Sequence, residues 1–109
     1  IGVTGKARNI KTNVDLSLIS PGEILFVPKN LLNDLPFSKD ISGIVTDETV
    51  EECYKIFKNY DIKISTICNL STIDNHVING DLITLQLNEG VVYMGQIEDE
   101  DTLDKYKYV

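Results

Sequence analysis

The chain has 109 residues, 42% of them hydrophobic and 25% charged, with a formal net charge of −7 at pH 7. That composition describes one ordinary domain with a modest core, neither disordered nor membrane-spanning. Ten basic residues, thinly spread among seventeen acidic ones, argue against nucleic acid and anionic membrane as partners, since both require clustered Lys and Arg.

Two cysteines, Cys53 and Cys68, have no second Cys or His at metal-ligand spacing, so neither a structural zinc site nor a disulfide framework is expected. A reducing, cytoplasmic setting follows from the same usage. The chain begins at Ile1 without a charged n-region or a cleavage pattern, and it reads as a piece of something longer. No internal repeat or low-complexity linker divides it.

In chain order, "IGVTGKA" (1–7) has the look of a phosphate loop in Gly2, Gly5 and Lys6 but lacks the full spacing and the Ser/Thr. Its "GKA" is expected to open the first strand as a turn. "GEILFVP" (22–28) predicts a buried strand, opened by Pro21-Gly22 and closed by Pro28. "LLNDLPF" (31–37) predicts a short helical turn or irregular connection before Pro36, and "ISGIVTD" (41–47) a second apolar strand. The period then becomes helical: Val50, Cys53, Ile56, Phe57 and Tyr60 share one face, predicting an amphipathic helix over 49–60. "IKISTIC" (62–68) returns to strand character, and "DLITLQLNEGVVYMG" (81–95) predicts a hairpin turning at Asn88-Glu89-Gly90. Residues 96–109 form an acidic tail. Strand, helix and strand with hairpin material around them predict a mixed α/β sheet with few helices.

The stretch "TDETVEECYKIF" (46–57) sets Asp47, Glu48, Glu51 and Glu52 together at the mouth of the predicted helix. Thr49 and Glu52 have capping-box spacing, in which the threonine oxygen takes the N–H of residue 52 and the glutamate reaches back. The other acids sit where the helix dipole favours negative charge, at about 0.3–1 kcal/mol each. A metal site would need oxygen ligands converging from several segments, whereas neighbouring acids on a helix mostly point apart. Helix capping accounts for all four, and neither a metal nor a cofactor is expected. The lone histidine, His76, lies in the polar loop "STIDNHVINGD" and reads as solvated; Cys53 and Cys68 read as core, and the sequon at Asn69 as silent.

The order of these pieces resembles the mobile, or swivelling, phosphohistidine domain of the phosphoenolpyruvate-utilising enzymes, a family that includes pyruvate phosphate dikinase and phosphoenolpyruvate synthase. A related extra domain follows the catalytic body of some pyruvate kinases. Gly22 to Pro28 resembles the family's "GDILVAP", Gly43 to Thr46 its "GIVT", and Gly80 to Tyr93 its "GDLVTVDGEEGVVY". The resemblance covers residues 2–95, leaving 96–109 as a tail, and implies a β/β/α architecture in three layers. It departs where the family's chemistry lies. There the family runs from Thr through a Gly-Gly turn to Thr-Ser-His-Ala-Ala, whose histidine accepts the phosphoryl group. Here Thr46 is followed by Asp-Glu-Thr-Val-Glu-Glu-Cys, both glycines are absent, and Glu52 or Cys53 falls at the histidine position. A helix N-terminus attracts phosphate through free N–H groups, and carboxylates at Asp47, Glu48 and Glu52 would compete for them. No phosphotransfer is expected here. The favoured function is a non-catalytic module of a pyruvate kinase or dikinase-like enzyme, with other domains or subunits of that parent as partners. The alternative is a phosphoryl carrier that uses His76.

Overall fold

The computed structural model describes residues 2–70 and 77–95. His76 and the acidic tail at 96–109, both singled out from the sequence, lie outside the described residues. Six strands form one mixed sheet: β1 (Val3–Asn9), β2 (Glu23–Val27), β3 (Ile41–Thr46), β4 (Ser65–Ile67), β5 (Leu82–Gln86) and β6 (Val91–Met94), in the order β4-β3-β2-β1-β5-β6. β1 to β4 run parallel to one another, whereas β5 is antiparallel to both β1 and β6. Helix α1 (Asn13–Leu16) follows β1, a 3₁₀ helix (Lys29–Asp34) follows β2, and helix α2 (Val50–Asn59) joins β3 to β4. The fold is mixed α/β.

Strand alternation divides the core in two. On β2, Leu25 and Val27 join the helix-side core with Leu31, Leu32, Cys53 and Ile56, while Ile24 and Phe26 enter a second core with Val45, Ile67, Ile83, Leu85 and Val92. Every side chain of β2 is buried, as expected for a parallel strand covered on both faces. β3 carries an extra residue: Glu23 pairs with Ile41 but Ile24 with Gly43, leaving Ser42 as a bulge. The bulge resets the alternation, so Ile41 and Ile44 both face the helices.

What covers the second core is the hairpin. Leu85 on β5 lies three strands from β3 in the sheet order, a distance of about 14 Å in a flat sheet. Yet a Cβ added to Gly43 would meet Leu85 Cδ1 at 2.7 Å. The antiparallel end therefore coils back over the parallel strands, giving helices, parallel sheet and hairpin as three successive layers. Inside the hairpin layer the buried Thr84 shares a 2.8 Å hydroxyl contact with Thr4 and donates to Gly95 O.

Three sequence expectations need correction. Gly5, Lys6 and Ala7 lie in the middle of β1, not in a turn before it. Glycine is required there by close approach, because a Cβ at Gly5 would stand 2.7 Å from Gly22 O. Val50, assigned to the apolar face of α2, is 56% exposed, and the buried stripe is Cys53 and Ile56 with Phe57 beside it. Tyr60 is also exposed, although its ring contacts Phe37 at 5.0 Å between centroids. Helix α1 has no counterpart in the sequence reading. Its single turn is held by Asp15, whose Oδ2 accepts from Lys11 N (2.7 Å) and Thr12 N (3.0 Å). Those two backbone donors hold the Asp15 carboxyl below its usual range.

Candidate functional site

The parallel strands β2, β3 and β4 deliver three loops to one edge of the sheet, the carboxyl edge at which open α/β folds place their ligands. The loops touch one another. Lys29 N donates to Asp47 Oδ1 (2.7 Å), Asn69 N to Glu48 O (2.8 Å), and Leu70 N to Thr46 O (3.3 Å). The loop from β3 to α2 is thus clamped from both sides.

Within that loop, backbone N–H groups are met by local oxygens. Thr46, fully buried at the end of β3, accepts Glu48 N on its Oγ1 (3.2 Å). Glu48 Oε1 accepts Thr49 N (2.9 Å), and Thr49 Oγ1 accepts Glu52 N (3.2 Å). The expected capping box is therefore only half formed. Glu48, not Glu52, takes the N–H of Thr49, because a glutamate one residue away already occupies it. Glu52 turns outward to Lys55 Nζ at 3.2 Å. Asp47 serves the start of the 3₁₀ helix, whose own N-cap position is Pro28 and offers no side-chain acceptor. Glu51 stays exposed in the first turn of α2. Four acids read as one group from the sequence do different jobs. Thr49→Ala is expected to cost about 1 kcal/mol, measurable as a shift of the urea midpoint at constant slope.

Cys53 follows one turn into α2, its N–H on Thr49 O at 3.0 Å and its side chain 3% exposed. Burial pushes its thiol up to about 12, with a hydrogen bond to Cys68 and the charges of Glu48 and Glu52 acting in the same direction. The side chain is a neutral thiol, a poor nucleophile. The half-buried Cys68, just past β4, packs against the same core. Sequence reasoning placed both cysteines in the core but missed that they share one cluster. That cluster joins two elements that only the β3–β4 pairing brings together.

Cavities among the described residues lie away from this loop. One of about 300 Å³ sits at the far end of α2, between Tyr54, Phe57, Ile62 and Ile64 with Lys58 and Lys63. Another, of about 470 Å³, lies beside Lys6, Arg8 and Glu23 near Gly22 and Gly80. Among the described residues, no group of three or more His, Cys, Asp or Glu side chains is placed to hold a metal ion, and no helix is long and apolar enough to cross a membrane.

A mixed sheet with a crossover helix and a self-bonded loop at its carboxyl edge is the class of domain that fold and site define. Comparison with known proteins points in one direction. A probable phosphoenolpyruvate synthase of Archaeoglobus fulgidus is 24% identical over 98 residues, 90% of this chain. The match spans 13% of that relative's length, so the chain corresponds to a small part of a much longer polypeptide. No family model matches the chain and no solved structure matches it.

Proposed function

We propose that this chain is a swivelling-type module of a larger phosphoenolpyruvate-utilising enzyme and has a structural, regulatory or subunit-contact role in place of phosphoryl transfer. The similarity to a segment of a probable phosphoenolpyruvate synthase supports the family relationship. The observation that carries the non-catalytic reading is the loop after β3. The N–H groups of Glu48, Thr49 and Glu52, which a phosphoryl group would need, are each bonded to an oxygen of the loop itself. At the position the resemblance gives to the phosphorylated histidine stand Glu52, paired with Lys55, and Cys53, a buried neutral thiol. An anion there would have to displace three hydrogen bonds and approach four carboxylates. Coulomb repulsion from each would add about 1 kcal/mol at 4 Å even in bulk water.

Its partners are other domains or subunits of the parent enzyme, a pyruvate kinase or dikinase-type phosphotransferase working in the cytoplasm. Val50 and Tyr54, one turn apart on α2 and 56% and 67% exposed, offer them an apolar strip beside the loop.

Intact-mass analysis at neutral to alkaline pH tests the reading, after incubating the chain with phosphoenolpyruvate or ATP and its full-length parent. The expected result is no phosphoryl adduct on the chain while the parent turns over, and a parent carrying His76→Ala as active as the original. An acid-labile adduct that disappears with His76→Ala would overturn the reading in favour of a phosphoryl carrier.

A further inference from the structure

Cys53 and Cys68 are fifteen positions apart in sequence and neighbours in space, and neither helix capping nor domain contact uses a thiol. The backbones that carry them are locked to the same short loop. On one side Cys53 N donates to Thr49 O at 3.0 Å. On the other, the two residues after Cys68 donate to Glu48 O and Thr46 O at 2.8 and 3.3 Å. The strand before Cys68 is itself paired with the strand that feeds the loop, Val45 opposite Ile67. Cys53 belongs to the helix-side core and Cys68 packs against that same cluster, close enough for Cys68 to raise the Cys53 thiol. Cys53 is buried, whereas Cys68 is only half-buried, so a small solute reaches Cys68 first.

We propose that Cys53 and Cys68 form a redox pair that closes to an intramolecular disulfide, with a peroxide as oxidant, and thereby staples the start of α2 to the end of β4. In the first step the sulfur of Cys68 attacks the peroxide. The O–O bond breaks, one hydroxyl joins the sulfur as a sulfenic acid, and the other leaves as water with the thiol proton. In the second step the sulfur of Cys53 attacks that of Cys68, the S–O bond breaks, and the hydroxyl departs as water with the proton of Cys53. Two electrons pass from the two sulfurs to one peroxide, and two waters form. The neutral state of Cys53 makes the closure slow, since the thiolate is the reactive form. The pair therefore responds to sustained oxidant, and a dithiol reverses it by exchange. The bond would close a loop containing α2 from Cys53 onward and fix the carboxyl-edge loops in their present arrangement.

The test treats the folded 109-residue chain with hydrogen peroxide and compares it before and after addition of dithiothreitol. Expected are an intact mass lower by two hydrogens, a cross-linked pair of peptides bearing residues 53 and 68, and no covalent dimer. The melting temperature should rise by about 10 °C, the gain expected for closing a loop of this length in a small domain, and fall back on reduction. A chain that only gains oxygen on either cysteine, or cross-links only between molecules, overturns the proposal. Cys68→Ala, at the more exposed position, separates the pair from a general reactivity of Cys53. In that variant Cys53 should stay unmodified at the same dose, and its oxidation at the original rate would show that Cys68 is not the entry point.

Discussion

Arg8→Ala is expected to lower the free energy of unfolding by about 3–5 kcal/mol, the cost of breaking a buried ion pair by removing one partner. Glu23 begins β2 with its side chain only 7% exposed, and its carboxylate accepts Arg8 Nε, Arg8 Nη2 and Ser20 N at 2.6–3.2 Å. Without the guanidinium, a buried carboxylate keeps only the Ser20 N–H. Urea unfolding would measure the loss. The double replacement Arg8→Met with Glu23→Leu should recover most of it, because an apolar pair of similar volume removes the orphaned charge along with its partner. Lys55→Ala provides the contrast. Its ion pair with Glu52 leaves the two side chains 69% and 51% exposed, and solvent screening limits the change to about 0.5 kcal/mol. A drop below about 1 kcal/mol for Arg8→Ala would mean that water reaches Glu23 and that the pair is a surface one in energetic terms.

How much of this molecule was legible in its sequence depends on the range of the interactions that shape each part. β2, α2 and the hairpin were readable because their signals are local: a Pro-bounded apolar run, Thr49 at capping distance from Glu52, and Gly90 between two alternating segments. α1 was not, since its four residues are too few to show a period. β1 was misread at Gly5 because a glycine beside a lysine looks like a turn, whereas its cause is the approach of the Gly22 carbonyl from the turn before β2. The bulge at Ser42 arises from pairing with β2 and has no signature of its own in "ISGIVT". At the candidate site, spacing revealed the cap and the crowding of acids. It could not reveal that Asp47 answers Lys29, eighteen residues away, or that Glu48 displaces Glu52 at the N–H of Thr49. The thiol pair belongs to the same class of long-range fact.

The coiling of the hairpin over the parallel sheet has its own energetic signature at Leu85 and Gly43. Leu85 is fully buried, so Leu85→Ala should cost about 2–5 kcal/mol, part transfer free energy and part cavity. Gly43→Ala should also destabilise, by about 1–3 kcal/mol, although alanine ordinarily suits a strand better than glycine. Its new methyl would lie 2.7 Å from Leu85 Cδ1, with Ser65 O at 3.4 Å and Ile24 Cγ1 at 3.5 Å on its other sides. Leu85 has no exposed surface to swing into, so the clash must be met by repacking its side chain within the core or by a shift of β5. In the double variant the cause disappears. The alanine methyl at 43 enters space that the shortened side chain at 85 has vacated, and the loss should fall short of the sum of the single losses by about 1 kcal/mol or more. Chemical denaturation of the four proteins closes the cycle. Simple additivity within about 0.5 kcal/mol would mean that the two positions do not share a core, and that the antiparallel end stands away from the parallel strands. A coupling of the expected sign ties the stability of the hairpin to β3, the strand that ends in Thr46 and carries the candidate loop.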